Sequence, residues 1–396
     1  KRQLPISRLP VEEAKSSCGA FRTAIELLRN GENWMDLKYD LGLEDMSSRE
    51  KIATLLPEYQ EMRDLARLLC IRVRVAAAEQ RWGDAVSDLR LGFRLSEVAS
   101  HGTNTLLSRL IGIAIADVMM DTIQTIIQEP ECPNLYWALA GLPVDRLFET
   151  REALEYESTL ASHIGNVASL PELPSEIIGE DQSLIRIKEI IDAYSTDFQS
   201  PTTPATTMSL RQLSSGIYIT MMVQPSRELL AESPLWKNRV AELSDAEAVL
   251  RASDFELARI RENWLAWSSL PPELWKDYDQ EINEALNVAS SPITVGATFA
   301  RIMLPSVRRA ATIGLEAKQK HHRLITLEAL RMNVSRADSL PETIDRLSPV
   351  PAWKDPLTGE SFDYVRKSKT RATITRTGGS QNQDDLKLDI ILKASL

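Results

Sequence analysis

Cysteine and glycine are scarce in this 396-residue chain, and their scarcity excludes several kinds of protein. The three cysteines form no C-x-x-C pair, so the usual signature of a structural zinc site or a thioredoxin-like redox site is missing. Cys70 lies in an apolar run and is predicted to be a buried hydrophobic residue. Three cysteines allow one internal disulfide, and we predict that it joins Cys18 to Cys132. With 16 glycines and 20 prolines, neither disorder nor a turn-rich all-β fold is favoured.

The chain also lacks a long hydrophobic run. No window of about eighteen uninterrupted apolar residues occurs, so no transmembrane helix is predicted. The most apolar stretch, 106–127, contains Arg109, Asp117 and Asp121, which fits a buried helix better. The first residue is Lys1 rather than Met, which indicates a trimmed or processed product from which a signal peptide or anchor could have been removed.

Basic residues are outnumbered by acidic ones. The 46 lysines and arginines face 56 aspartates and glutamates, which gives a formal net charge of −10. A protein that gains affinity by neutralising phosphates needs a dominant basic face, and none is present. We therefore predict no nucleic-acid partner.

The motifs of common catalytic and metal sites are absent as well. The sequence contains no G-x-S-x-G, no G-x-x-x-x-G-K-[ST], no G-x-G-x-x-G and no H-E-x-x-H. Of the four histidines, His321 and His322 are adjacent, so on a helix they project about 100° apart and cannot share a metal as an i, i+4 pair does. We predict that each of the four, including His101 and His163, is a surface or capping imidazole. No cofactor is predicted.

Helical patterning dominates what is present. We predict a mainly α fold, an irregular array of helical hairpins with a small C-terminal β-containing appendage. The clearest pattern covers 65–98, where two apolar stripes flank A-E-Q-R-W-G-D-A-V and Gly83 suits a tight connection between helices. This segment resembles one helical hairpin of the tetratricopeptide type. It covers about one repeat length, with no second copy in register.

Four regions are predicted along the chain: an N-terminal helical domain with that hairpin at 1–168, a connection rich in Pro, Ser and Thr at 169–208, a second helical region at 209–337, and a C-terminal loop with a small β element at 338–396.

Within these regions several elements are predicted by periodicity and by their flanking residues. Thr103 and Asn104 are expected to cap the helix that follows them, and the aromatic pair Tyr136–Trp137 is expected to pack on neighbouring helices. Further helices are predicted at 145–164, 209–222, 225–232, 245–270, 272–287 and 298–336. The runs F-D-Y-V, T-R-A-T-I-T-R and L-K-L-D-I-I-L predict antiparallel strands.

The C-terminal part carries a recognisable arrangement. A helix ends in a short loop, followed by S-L-P-x-x-x-D-x-L, D-P-L-T-G and F-D-Y. This arrangement resembles the C-terminal half of pseudopilin-like segments of bacterial secretion systems. It also resembles uncharacterised proteins of planctomycete-type bacteria, as do the upstream words L-Y-W-A-L-A-G-L-P and R-x-A-L-E-Y-E-S. The match covers roughly a tenth of the chain and lacks the N-terminal hydrophobic pilin helix. It implies a periplasmic or cell-envelope location, with the cytoplasm as the alternative, and no established activity.

A calcium loop is implied by the same resemblance, because the corresponding loop of some pseudopilins binds calcium. Here Asp355, Glu360 and Asp363 would offer the oxygens. The alternative is a plain turn with surface acids, in which Pro356 fixes φ and Gly359 supplies a position tolerant of positive φ. No dense D-x-D-x-D loop occurs, which favours the turn.

Two further groups of residues are candidates for a site. Acidic residues combine with aromatic ones in two places, as in glycosidases on helical scaffolds: Glu152, Glu155 and Glu157 near Tyr156, and Asp277, Asp279 and Glu281 near Trp275 and Tyr278. Exposed helix faces are the favoured explanation, because a chain with 56 acids forms such clusters by chance. Three tryptophans, Trp264, Trp267 and Trp275, are a candidate interaction surface, although core packing between the last helices is the favoured explanation.

These observations favour a non-catalytic helical scaffold or protein-interaction protein. Grooves between amphipathic hairpins bind peptides or partner proteins, and a homo-oligomer is also compatible with them. The alternative is a carbohydrate-active or other hydrolytic enzyme on a helical scaffold that uses carboxylate pairs. A deep acid-lined cleft would favour the enzyme, and a shallow apolar or mixed groove the scaffold.

Overall fold

The computed structural model describes most of the chain in nine ranges. They are residues 5–31, 48–129, 131–161, 175–198, 208–268, 295–337, 339–369, 371–375 and 388–391, together with a few positions between 270 and 281. The described residues are mainly helical and end in a small antiparallel sheet. The predicted fold class is confirmed.

The N-terminal part consists of helices that pack side by side through apolar stripes. In chain order they are α1 (Val11–Gly19), α2 (Arg22–Asn30), α3 (Ser48–Ala78), α4 (Trp82–His101) and α5 (Leu106–Ile126). Helices α3 and α4 form the predicted hairpin. Gly83 does not make its connection, because it already lies inside α4; the turn instead places Gln80 at a φ of +57°. The cap of α5 is Thr105, whose hydroxyl accepts from Ser108 N, and not the predicted Thr103–Asn104.

Three short helices follow, α6 (Tyr136–Ala140), α7 (Val144–Phe148) and α8 (Arg151–Ala161). The single helix predicted over 145–164 is therefore wrong, since the chain is extended at Glu149 and a new helix starts after Thr150. The break lies directly against Gly314, a residue far along the chain. A Cβ atom on Gly314 would approach the carbonyl oxygen of Phe148 to 2.4 Å, so another helix passes directly against the break.

Longer helices make up the next part: α9 (Glu180–Phe198), α10 (Met208–Ala231), α11 (Asp245–Ser268) and α12 (Val295–Ala337). The two helices predicted at 209–222 and 225–232 are one helix, because α10 continues through Pro225. Proline removes one intrahelical hydrogen bond, to the carbonyl of Met221. The Met221 side chain is 71% exposed, so water can reach that turn of the helix.

Three short strands close the described chain: β1 (Asp363–Arg366), β2 (Arg371–Thr375) and β3 (Leu388–Ile391). They form one antiparallel sheet in the order β1-β2-β3, in which Ile374 of β2 lies opposite Tyr364 of β1 and Leu388 of β3. Ala372 and Ile374 are fully buried, so this sheet packs on the helices, as the alternation in the sequence predicts.

The largest hydrophobic cluster gathers residues from three distant parts of the sequence. It contains side chains of α3 to α7, of the C-terminal half of α12, and of the segment from Leu340 to the sheet. A second cluster joins α9, α10 and α11 around Ile187, Ile219 and Val249. Helix α12 thus shares its core with the N-terminal helices. The predicted four-region division stays a prediction.

All three cysteines are free thiols with buried side chains. The predicted Cys18–Cys132 disulfide is therefore wrong, while the predicted burial of Cys70 is confirmed. Burial raises the pKa of the Cys70 thiol to about 11 and that of Cys132 to about 12. Within the described ranges, none of the helices is long and apolar enough to cross a membrane.

Helices α4 and α5 approach closely because glycine lies at their contact. A Cβ atom on Gly112 would meet the Ser96 carbonyl oxygen at 2.6 Å and the Ser100 hydroxyl at 1.9 Å, and the Ser96 hydroxyl donates to Gly112 O at 2.7 Å. Separating the two helices would break that hydrogen bond and open the core between them.

We predict that Gly112→Ala lowers the free energy of unfolding by about 2–3 kcal/mol, since overpacking a well-filled contact typically costs about 1–3 kcal/mol. The matched control is Gly83→Ala in α4, where nothing lies within 4 Å of an added Cβ. There we expect no loss and a gain of up to about 1 kcal/mol from the better helix former. Urea unfolding followed by circular dichroism measures both; equal effects would contradict the close packing at Gly112.

Candidate functional site

Helix α6 is held on α12 by a buried carboxylate. Glu328 is fully buried, and its Oε2 accepts a hydrogen bond from the backbone N of Leu135 at 2.8 Å. The backbone O of Glu328 accepts from Asn134 Nδ2, also at 2.8 Å. Buried polar groups are normally hydrogen-bonded, and here the partners come from the residues just before α6. Glu328 therefore fixes where α6 begins.

Arg331, one turn further along α12, completes this contact. Its guanidinium donates to Glu328 Oε1 at 2.6 Å and to the backbone O of Cys132 at 2.8 Å. Burial raises the pKa of the Glu328 carboxyl, and the nearby Arg331 charge opposes that rise. Both carboxylate oxygens thus have donors, and the whole approach to α6 is tied to one face of α12.

His321 holds the other end of α6. Its Nε2 lies 2.9 Å from the backbone O of Leu139, and a carbonyl can only accept, so the proton is on Nε2 and Nδ1 is bare. Nδ1 is buried without a partner, and burial lowers the pKa of this histidine to about 4. The prediction of a surface position is wrong, because His321 lies on the buried face of α12 and is fully covered.

The other histidines differ from one another. His322 is partly buried, its Nδ1 donates to Lys354 O at 2.7 Å, and burial lowers its pKa. His101 Nε2 lies 3.0 Å from Arg146 O, which agrees with a capping role. His163 lies outside the described residues. No pair of these imidazoles belongs to a metal-binding group in the part of the chain that the structure describes.

Trp137 projects from this fixed helix into solvent. Its side chain is 71% exposed, whereas Tyr136 is only 3% exposed and donates its hydroxyl to Pro351 O at 3.2 Å. The two rings meet edge to face, with centroids 5.1 Å apart. Both had been predicted to pack on helices; this is correct for Tyr136 and wrong for Trp137, because consecutive helical residues point about 100° apart. We call α6 with its exposed indole the Trp137 platform.

The predicted tryptophan surface is only partly within the described residues. Trp267 is partly buried, and its ring lies 5.9 Å from that of Tyr278. The side chain of Trp264 and the whole of Trp275 lie outside the described residues. This surface stays a prediction.

The predicted calcium ligands do not converge. Asp355 is fully buried, and its Oδ1 and Oδ2 accept from Leu357 N at 2.9 Å and from Gln319 Nε2 at 2.7 Å. Glu360 and Asp363 are exposed. No group of three potential metal ligands occurs among the described residues, and the turn expected here is confirmed by a φ of +68° at Gly359. The expected turn had surface acids, and this is wrong for Asp355, which is buried and organises the turn from inside.

The carboxylate clusters are exposed where they are described. Glu152 is 81% exposed and lies 3.7 Å from Arg109, while Glu155 pairs with Arg151 at 2.9 Å. Asp277 and Glu281 are exposed. The Glu157 side chain and Asp279 lie outside the described residues. The described acids therefore form solvated ion pairs or single surface charges.

Comparisons of this chain with protein-family models, with curated proteins and with solved structures give no match. The resemblance of its C-terminal segment to pseudopilin-like segments stays an expectation.

Sequence reasoning missed Glu328 and the exposure of Trp137. A signal for Glu328 was present, since it lies in the apolar run Ile325–Leu330, and an acid on an apolar helix face needs a buried partner. Its partner is 193 residues away, which no local pattern reveals.

We predict that Glu328→Gln lowers the free energy of unfolding by about 2–4 kcal/mol, because it leaves Arg331 without its charge partner in a buried site. Glu316→Gln on the same helix is the matched control. Glu316 is 42% exposed and 3.8 Å from Arg309, so its loss should cost less than about 1 kcal/mol. Chemical unfolding of both variants measures the difference, and equal losses would show that Glu328 is not a clamp.

We also predict a pH dependence from His321. The folded-state pKa is lowered from 6.5 to about 4, so between these values the unfolded chain binds a proton that the folded chain does not. Above pH 6.5, His321 therefore does not change the free energy of unfolding as the pH varies. Between pH 6.5 and pH 4, it lowers the free energy of unfolding by about 1.4 kcal/mol for each pH unit that the pH falls.

Glu328 titrates in the opposite sense, because its raised pKa stabilises the fold as the pH falls. The His321→Gln variant keeps Glu328 and a donor toward Leu139 O, so it isolates the histidine. Urea unfolding at pH 7 and pH 5 should show a smaller loss in the variant than in the unchanged protein. Identical losses would contradict the assignment of a neutral, buried His321.

Proposed function

We propose that this protein is a non-catalytic helical scaffold that binds a partner protein through the Trp137 platform. The observation that carries the proposal is the 71% exposure of Trp137 on a helix whose two ends are fixed to α12. Tryptophan is enriched among the residues that dominate binding energy at protein interfaces. Exposing an indole to water is unfavourable in free energy, whereas burying the same indole in an apolar pocket of a partner is favourable.

The rigidity of the platform supports binding. Ordering a side chain or loop at an interface costs free energy, and a helix that is already fixed avoids most of that cost. Leu135 N, Asn134 and Leu139 O all contact α12, so the backbone on both sides of Trp137 is in place before a partner arrives. The matching partner surface is an apolar pocket that accepts one indole edge.

A cell-envelope location is part of the proposal. Its support is the resemblance of the segment from S-L-P-x-x-x-D-x-L to F-D-Y to pseudopilin-like segments. Fractionation of cells that produce the protein from its complete gene tests the location, and recovery in the cytosolic fraction would contradict it.

We predict that a photoreactive amino acid at Ala138, which is exposed beside Trp137, gives a discrete cross-linked adduct in the cells that naturally make the protein. Adding Trp137→Ala should reduce that adduct by at least about tenfold, as expected for an interface anchor. Because the indole is exposed, the variant should unfold at the same temperature as the unchanged protein.

Two controls make this result specific. Leu235→Ala removes another exposed apolar side chain, which is 78% exposed, and should leave the adduct unchanged. The same photoreactive residue placed at Lys188 on α9, away from the platform, measures how much cross-linking arises from random encounters. Equal adducts with and without Trp137 would overturn the proposed role of the platform.

A further inference from the structure

A pocket lies between α12 and the loop that follows Trp353. Its volume is about 410 Å³, within the range of about 300–1,000 Å³ typical of small-molecule sites. The side chains and backbone that line it come from the middle of α12 and from the turn organised by Asp355: Leu315, Lys318, His322, Trp353, Lys354, Asp355, Pro356 and Gly359. It is distinct from the Trp137 platform.

Two lysines and one carboxylate are the charged side chains among the described residues that line this pocket. Lys318 and Lys354 line it together with the His322 imidazole. Asp355 is the one acid among the described residues of the lining, and both of its oxygens accept hydrogen bonds from within the protein, from Gln319 and from Leu357 N. Both carboxylate oxygens are thus engaged inside the protein. Lys318 and Lys354 are therefore the two groups through which this pocket can hold an anion, although the whole chain carries a net charge of −10.

Both ammonium groups are accessible to a ligand. Lys354 is exposed and makes no ion pair with any described residue. Lys318 lies 3.0 Å from the Asp145 carboxylate, and that carboxylate is 82% exposed. Ion pairs this exposed contribute little free energy, so a ligand carboxylate can replace Asp145 at Lys318 without a large cost.

The wall of the pocket is apolar and held in place. Leu315, Pro356 and the Trp353 indole supply it. The His322 ring and the indole meet at an interplanar angle of 88° with centroids 4.8 Å apart, and Trp353 N donates to the Thr326 hydroxyl at 3.0 Å. The partly buried indole thus supplies fixed apolar surface for an apolar or aromatic ligand body to contact.

We propose that this pocket binds a small organic carboxylate with an apolar or aromatic body. The carboxylate contacts the ammonium groups of Lys318 and Lys354, and the body lies against Trp353, Leu315 and Pro356. This site does not depend on the partner surface at Trp137, so either can fail without the other.

The test uses the full chain and three probes of similar shape: 4-phenylbutyrate, its neutral amide and 4-phenylbutylamine. Calorimetric titration and saturation-transfer NMR measure binding. We expect the carboxylate to bind at least about fivefold more tightly than the amide, as a charge-assisted contact to lysine requires, and the amine more weakly still. Equal affinity of carboxylate and amide, or no binding of the carboxylate at millimolar concentration, would overturn the proposal.

Variants place the binding at this pocket. Lys354→Gln removes an exposed charge without an ion pair, so the fold should be unaffected, and we expect affinity for phenylbutyrate to fall about threefold to tenfold. Lys318→Gln should act in the same direction, and the double variant should bind no better than the unchanged protein binds the amide. Lys188→Gln on α9 is the control for general charge. If Lys188→Gln weakens binding as much as Lys354→Gln does, the carboxylate binds elsewhere.

Discussion

The position of every segment around the Trp137 platform depends on the polar side chains that α12 buries. A polar atom removed from water costs free energy unless the protein supplies a partner. Gln319, His321 and Glu328 are each almost fully covered, and their partners are Asp355, Leu139 O and Leu135 N. The first partner lies in the turn after Trp353, and the other two lie at the two ends of α6. The helix therefore determines where segments that are too short to fold alone can lie.

Apolar packing and these polar contacts have different effects. The largest cluster buries many side chains of α3, α4, α5 and α12 and supplies most of the driving force for folding. That force is not directional, and it would tolerate a small sliding of α6 along α12. The hydrogen bond that Leu135 N donates to Glu328 at 2.8 Å does not tolerate it, because a shift of one residue would leave the buried Oε2 of Glu328 without its donor. The close contact at Gly112 restricts α4 and α5 in a similar way, through sterics.

Periodicity was sufficient to predict the fold class, most of the long helices and the β character of the end of the chain. Periodicity failed where contacts between residues far apart in the sequence determine the local structure. The break at Glu149 reflects the passage of α12 at Gly314, and the continuation of α10 through Pro225 depends on a turn that water reaches. The candidate site was hidden for the same reason. Glu328 and Trp137 mark it only when their neighbours in space are known, whereas the turn after Asp355 could be predicted because its backbone geometry at Gly359 is local.

The distance along the chain between α6 and its clamp has a consequence during synthesis. Leu135 and Glu328 are 193 residues apart, so the ribosome completes the N-terminal helices long before α12 emerges. Until then the surface that will receive α12 is open to water and to other nascent chains. Contacts of such long range also slow folding, because the intervening chain must be ordered or looped out first. Truncation of the gene anywhere before α12 would therefore release an N-terminal fragment with an unfilled, aggregation-prone groove.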